Sequence, residues 1–188
     1  MTQCSDAELA ELLAAIQADP AQQLAYAEQA LAAFPEDARL HFLRASLLAG
    51  SQRPIEAHAS FTRAVALAPD FALARFQLGF FELTSGEAAR ALESWAPLDN
   101  QLSPDHYLRH FVDGLRHLIA DRFADCIAAL EAGIAANDEN LPMNGDMRLI
   151  IEQCQTLIKP QAGDPEPVEE ASATSFLLGQ LGGRGTTH

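Results

Sequence analysis

The sequence contains little positive charge. Its 12 Lys and Arg residues stand against 26 Asp and Glu residues, so the net charge is −14 and the isoelectric point is near 4.6. Lys159 is the only lysine. Nucleic acids and anionic membrane surfaces attract basic patches. The composition therefore argues against nucleic acid or an acidic membrane as a partner, and Ala-rich, Lys-poor usage makes a bacterial source our expectation.

Cysteines and long apolar runs are also scarce. The three cysteines, Cys4, Cys126 and Cys154, lie far apart and form no CxxC pair, which favours reduced thiols over a disulfide framework. The first residues show neither the basic nor the apolar region of a secretory signal. No apolar run approaches the roughly 20 residues that span a bilayer. We therefore expect a cytoplasmic protein without membrane insertion.

Motifs for catalysis are missing as well. The sequence has no GxSxG, no HExxH and no Gly-rich phosphate loop before a lysine. His106, His110, Asp113 and His117 share one helical stripe, and two histidines at i, i+4 can chelate zinc. The stripe is about 16 Å long at 1.5 Å per residue, too long for one ion. We predict a non-enzyme with no cofactor or metal, and a His-rich metal-binding protein is the third hypothesis.

The residues that are abundant favour helices. Ala and Leu dominate, and amphipathic stretches alternate with breaks at Pro, Gly and polar residues, so we predict an all-α fold. Helices are expected at 6–18, 21–33, the two halves of 38–71 around a break at 50–53, 71–84, 87–95, 104–120, 123–136 and 145–158. Ser103 and Pro104 have the pattern of an N-cap followed by the first helical position.

The last part of the chain has a different composition. Residues 160–174 are rich in Pro, Glu and Ala, which predicts a disordered acidic linker. A short apolar tail motif follows, formed by Phe176, Leu177, Leu178 and Leu181. The predicted organisation is a helical domain over 1–159 and a linker with a tail over 160–188.

Small and large residues recur at a fixed period. Ala57 and Ala91 are separated by about 34 residues, as are Pro35 and Pro69, and Gly79 and Gly114 have nearly the same spacing. A helix–turn–helix unit of about 34 residues is the period of the tetratricopeptide repeat. Within 38–71 the small–large–small–Pro set is Ala45, Ala57, Phe61, Ala64 and Pro69. The chain therefore resembles the tetratricopeptide repeat (TPR) family over about residues 4–138.

This resemblance implies a right-handed α-solenoid of about four repeats, closed by a C-terminal capping helix at 145–158. It also implies that the first helix of each repeat lines a concave groove, which would expose Phe42, Leu73, Phe76, Phe80, Leu83, Leu108, Phe111, Leu115 and Leu118. Large exposed apolar surfaces mark interaction sites. If the helical phase is wrong by one position, these side chains are ordinary core residues instead.

The leading functional hypothesis is a non-catalytic protein–protein interaction module, a scaffold whose groove binds a peptide or an amphipathic helix. The alternative is a chaperone for a bacterial secretion-system client, because size, acidity and repeat number resemble the class II chaperones of type III systems. The tail motif is a candidate ligand for the groove, in cis or in trans.

Overall fold

The computed structural model describes residues 3–158, and in that range it contains helices and no β-strand. The prediction of an all-α chain is confirmed there. The helices are α1 (Asp6–Ala18), α2 (Gln23–Ala33), α3 (Ala38–Gly50), α4 (Pro54–Leu67), α5 (Ala72–Thr84), α6 (Ala88–Trp95), α7 (Leu98–Gln101), α8 (Tyr107–Ile119), α9 (Phe123–Ala136) and α10 (Met143–Ile158). None of these helices is long and apolar enough to cross a membrane.

The chain divides into two compact units, one that runs to Leu78 and one that begins at Gly79. The boundary lies inside α5, within the predicted helical domain of 1–159. The predicted linker and tail, 160–188, lie outside the described residues.

In the first unit, α1 packs on α2, α2 packs on α3, and α3 packs on α4. Helix α1 begins with a capping box: the Ser5 hydroxyl accepts a hydrogen bond from the Glu8 N–H, and the Ser5 N–H donates to the Glu8 carboxylate at 2.8 Å. Such reciprocal caps satisfy two backbone donors that a helix start leaves free. Small side chains, Ala27 and Ala45, are completely buried and allow the helices to approach closely.

A charged network joins the start of α3 to the N-terminal segment. The Asp37 side chain caps α3 by accepting from the Arg39 N–H at 2.9 Å, and it also accepts from the Cys4 N–H at 3.0 Å. The Arg39 guanidinium contacts Asp37 at 2.8 Å and Asp6 at 2.7 Å, and it donates to the Cys4 carbonyl oxygen. Groups from the N-terminal segment and from α3 therefore meet around one carboxylate that is only 1% exposed.

The second unit is built on tight helix pairs. Helix α8 packs on α9, and α9 packs on α10. A Cβ on Gly114 of α8 would lie 2.6 Å from a methyl carbon of Leu130 of α9, and a Cβ on Gly133 of α9 would lie 2.5 Å from Cε1 of the Phe111 ring of α8. Glycine therefore allows the close packing of these helices, because a Cβ at either position would force Leu130 or Phe111 to shift.

Three helix ends have the same turn at the predicted period. After α3, α5 and α8, the residues Gln52, Gly86 and Asp121 have positive φ angles of 57°, 86° and 55°. The N–H of the next residue then donates to the carbonyl five positions earlier, at 3.0, 2.9 and 2.9 Å. This is the Schellman pattern of a helix C-terminus. The turn recurs once per repeat period, so both units contain the same local design.

This conformation predicts opposite effects for two exchanges. A side chain in the left-handed region costs about 1 kcal/mol, so we expect Gly86→Ala to lower the free energy of unfolding by about that amount. Gln52→Gly removes the same strain and should raise it by a few tenths of a kcal/mol, since glycine also loses entropy on folding. Urea denaturation followed by circular dichroism measures both. Gly145→Ala, in an open position of α10, is the control and should not destabilise; equal losses in all three variants would contradict the assignment.

The predicted start of the seventh helix is wrong. Helix α8 begins at Tyr107 with His106 as its N-cap, whereas Ser103 and Pro104 form a turn in which the His106 N–H donates to the Ser103 carbonyl at 3.1 Å. The same hydrogen bond closes the turns at Phe34 and Ala68, each also followed by proline. Pro104 therefore corresponds to Pro35 and Pro69, and it ends a helix pair instead of beginning a helix.

Other boundaries shift slightly. Helix α2 begins at Gln23 instead of residue 21, and α10 begins at Met143 instead of residue 145. The expected break between the helices at 87–95 and 104–120 contains the single turn α7. Side-chain hydrogen bonds near Asn137 explain the early start of α10, as described below.

Candidate functional site

Most of the side chains predicted to line an exposed groove are buried. The two exceptions are Phe42 and Leu73, which are partly exposed. The other seven are at most 5% exposed: Phe76, Phe80, Leu83, Leu108, Phe111, Leu115 and Leu118. The prediction that these seven form an exposed surface is wrong, and the core interpretation of their helical stripe is the correct one.

Phe111 shows the physical reason. Its ring lies against Gly133 of α9, so the face of α8 that the groove prediction reserves for a partner is occupied by the next helix. Leu108, Leu115 and Leu118 belong to the same buried side of α8. An apolar stripe three to four residues apart identifies one buried face, but it does not tell whether the covering element belongs to the same chain.

Phe42 belongs to an aromatic cluster in the first unit. Its ring centroid lies 6.0 Å from that of Phe61 in an edge-to-face arrangement and 5.3 Å from that of Phe71. Such pairs contribute about 0.5–1.5 kcal/mol beyond their buried area. The tail motif, Phe176, Leu177, Leu178 and Leu181, lies outside the described residues.

An open groove lies elsewhere, between α9 and α10 in the second unit. Its volume is about 360 Å³, at the small end of the range of about 300–1,000 Å³ that is usual for ligand pockets. The lining residues come from both helices: Glu131, Ile134 and Ala135 from α9, and Arg148, Ile151, Glu152 and Gln155 from α10. We call it the α9–α10 groove.

One side of α10 is buried. Met143, Met147, Ile150 and Cys154 are at most 1% exposed and form the stripe that packs inward. Ile151 lies at the edge of this stripe and is 7% exposed, so its side chain contributes to both the core and the groove.

Two buried asparagines fix the connection between the helices. The Asn137 amide donates to the Asn144 side-chain oxygen at 2.8 Å and to the Asn140 carbonyl at 2.7 Å, and its own oxygen accepts from the Asn140 N–H at 2.9 Å. Buried polar groups need such partners, because each unsatisfied group costs about 1–3 kcal/mol. The network therefore sets where α10 begins and how it lies on α9.

The groove combines an apolar floor with a charged rim. Ile134 and Ile151 supply the apolar surface, while Glu131, Glu152 and Arg148 supply two negative charges and one positive charge. Among residues 3–158, no nucleophile or histidine lines it. The arrangement can hold one or two apolar side chains and attract a positive charge beside them. Sequence reasoning recognised Ile134 and Ile151 only as helix positions, because a gap between two helices leaves no signal in the pattern of either one.

The histidine stripe of α8 has local structural roles. His106 caps α8 by accepting from the Leu108 N–H through Nδ1 at 3.1 Å. Nδ1 of His117 accepts from the Arg122 side chain at 2.9 Å and lies 3.9 Å from Asp125. Across residues 3–158, no three His, Cys, Asp or Glu side chains are grouped as a metal site would need.

A second charged cluster attaches α7 to α8. Asp99 of α7 accepts from Arg109 at 2.6 Å and from Arg116 at 2.9 and 3.1 Å, and Arg116 also contacts Asp113 at 3.1 Å. Burial lowers the pKa of Arg116, but its hydrogen bonds and ion pairs with Asp99 and then Asp113 outweigh that effect and raise it. These arginines are therefore held by carboxylates of the same chain, which gives the cluster a structural role.

No protein-family model matches the chain, and no curated protein matches its sequence at a significant level. The function must therefore be inferred from the geometry of the chain itself.

Proposed function

We propose that this chain is a non-catalytic protein-interaction module built from tetratricopeptide-like helix pairs. The observation that supports this proposal is the recurrence of one turn, with left-handed residues at Gln52, Gly86 and Asp121. A contact between a small residue and a large one recurs at the same period as this turn. Gly79 faces Trp95, and Gly114 faces Leu130, at the same spacing along the chain. Stacked helix pairs of this kind present extended binding surfaces.

The α9–α10 groove is the binding site that we propose within this module. Its occupant is a segment of another protein, helical or extended, that inserts one or two apolar side chains beside a lysine or arginine. The apolar part follows from Ile134 and Ile151, and the basic part follows from Glu131 and Glu152 at the rim. The net charge of −14 favours the same partner by long-range attraction.

Selection from a random peptide library tests this proposal directly. With the full chain as bait, we expect enriched peptides to share a large apolar residue followed or preceded within one helical turn by Lys or Arg. Ala135→Trp fills the groove from an exposed position of α9, and it should reduce the affinity of these peptides at least tenfold by calorimetry. Glu152→Gln should weaken binding several-fold and reduce its salt dependence.

The matched control is Ala136→Trp, which adds the same side chain at an exposed position of α9 outside the groove. Circular dichroism first shows that both variants fold. Peptides that bind both variants equally well would place the site elsewhere. A library that yields no enriched sequence would contradict the binding function itself.

A further inference from the structure

The two cysteines of the second unit meet in the core. Cys126 lies on α9 and Cys154 on α10, and their sulfur atoms are 3.9 Å apart. Both residues are free thiols and completely buried. They are distant in sequence and no motif links them, so only the packing of α10 on α9 reveals the pair.

We propose that Cys126 and Cys154 are a redox pair that closes to a disulfide and locks α10 onto α9. The sulfur atoms must approach from 3.9 Å to about 2.05 Å, so closure requires rotation about the Cα–Cβ bonds and a shift of α10 toward α9. Helix α10 is the last described element and packs on α9. The inference is independent of what the α9–α10 groove binds.

Hydrogen peroxide is the oxidant that fits this site, since the buried sulfurs are closed to bulky disulfides. A thiolate attacks the peroxide O–O bond, a sulfenic acid forms, and hydroxide leaves and takes up the proton of the ionised thiol. The second sulfur then attacks the sulfenic sulfur, the S–S bond forms and the S–O bond breaks, and water leaves with the second proton. Two thiols and one peroxide thus give one disulfide and two waters, and two electrons pass from sulfur to oxygen.

Two neighbouring thiols can form a disulfide within the core, which a single buried cysteine cannot. The Cys154 and Cys126 sulfurs share a hydrogen bond, which lowers the pKa of one thiol of the pair and so favours its ionisation. Cys4, the third cysteine, is also buried, but burial and the nearby carboxylates of Glu8 and Asp37 raise the pKa of its thiol. Thiolates react with peroxide and thiols hardly do. Oxidation should therefore select the pair and spare Cys4.

The test treats the full folded chain with peroxide and counts thiols after denaturation. We expect two of the three thiols to disappear and the intact mass to fall by two hydrogen atoms. Digestion should then recover one peptide pair that joins Cys126 to Cys154. Closing the loop between them constrains the unfolded chain, so we expect the melting temperature to rise by about 5–10 °C and dithiothreitol to reverse the rise.

Cysteine-to-serine variants distinguish this specific disulfide from general oxidation of the protein. Cys4→Ser should form the same disulfide, whereas Cys126→Ser and Cys154→Ser should form none and gain no stability. Three thiols remaining after treatment would overturn the proposal, as would sulfinic acid at either member of the pair. A disulfide that forms without raising the melting temperature would refute the locking of α10.

Discussion

Replacing Gly79 with alanine should lower the free energy of unfolding by about 2 kcal/mol, because overpacking a close-packed interior costs about 1–3 kcal/mol. A Cβ at this position would lie 2.6 Å from Cε2 and 2.7 Å from Cδ1 of Trp95. The Trp95 side chain is completely buried, so its ring cannot move aside into solvent. Urea denaturation of the full chain measures the loss.

Gly50→Ala is the matched control for this exchange. Gly50 ends α3, and a Cβ there would meet no atom within 4 Å. Alanine is the better helix former by about 1 kcal/mol, so this variant should be as stable as the wild type or more stable. If Gly79→Ala proved equally harmless, the close approach of α5 to α6 would be incorrect.

The same pairing of a glycine with a large side chain recurs further along the sequence, and this is why the fold could be predicted. Gly79 and Gly114 are one repeat period apart, and so are the side chains that cover them, Trp95 and Leu130. Two backbones in contact require a small residue and a large residue at a fixed spacing. The helices and their order could therefore be predicted from the sequence, because local packing determines both.

The error at Pro104 has a different origin. Ser followed by Pro is favoured both at a helix start and in the turn before one, and the local pattern cannot distinguish the two. The repeat period, counted from Pro69, would have decided for the turn. A repeat thus contains information that no single segment carries, and using the period consistently would have placed the start of α8 at Tyr107.

The spacing of residues along the chain could not locate a binding surface. The stripe of Phe111, Leu115 and Leu118 is one helix face, as its spacing predicts, yet the structure buries it. Whether a face is free depends on how neighbouring helices are rotated, which is a property of tertiary packing. The α9–α10 groove likewise depends on how α10 packs on α9, next to a connection held by the hydrogen bond from Asn137 to Asn144.

Removing the Arg39 side chain should cause the other large loss of stability, about 3 kcal/mol at neutral pH, because breaking a buried pair by removing one partner costs about 3–5 kcal/mol. Asp37 is 1% exposed, and Arg39→Ala would leave its carboxylate buried with only backbone donors from Arg39 and Cys4. We expect the lower end of the range, because the Arg39 side chain is itself 31% exposed.

The pH dependence of the free energy of unfolding shows whether the buried Asp37 carboxylate causes this loss of stability. Burial, the largest influence, raises the pKa of Asp37, but the side-chain hydrogen bond, backbone hydrogen bond and charge of Arg39, with the Cys4 N–H, hold it below its ordinary value of 3.8. In the wild type this contribution is complete above pH 3.8 and is lost as the pH falls through the lower, folded pKa. In Arg39→Ala, burial should dominate and raise the pKa of Asp37. Protonation of Asp37 then removes the buried charge and restores part of the lost stability.

The difference in stability between wild type and Arg39→Ala should therefore be largest at neutral pH and shrink as the solution is acidified toward pH 3.8. Arg53→Ala is the control, because Arg53 forms an even shorter ion pair with Glu56, at 2.6 Å, on the exposed surface. Exposed pairs contribute little, so that variant should lose much less stability than Arg39→Ala. Denaturation at several pH values measures both variants. A loss in Arg39→Ala that stays constant with pH would mean that lost packing of the arginine stem, and not the buried carboxylate, determines its effect.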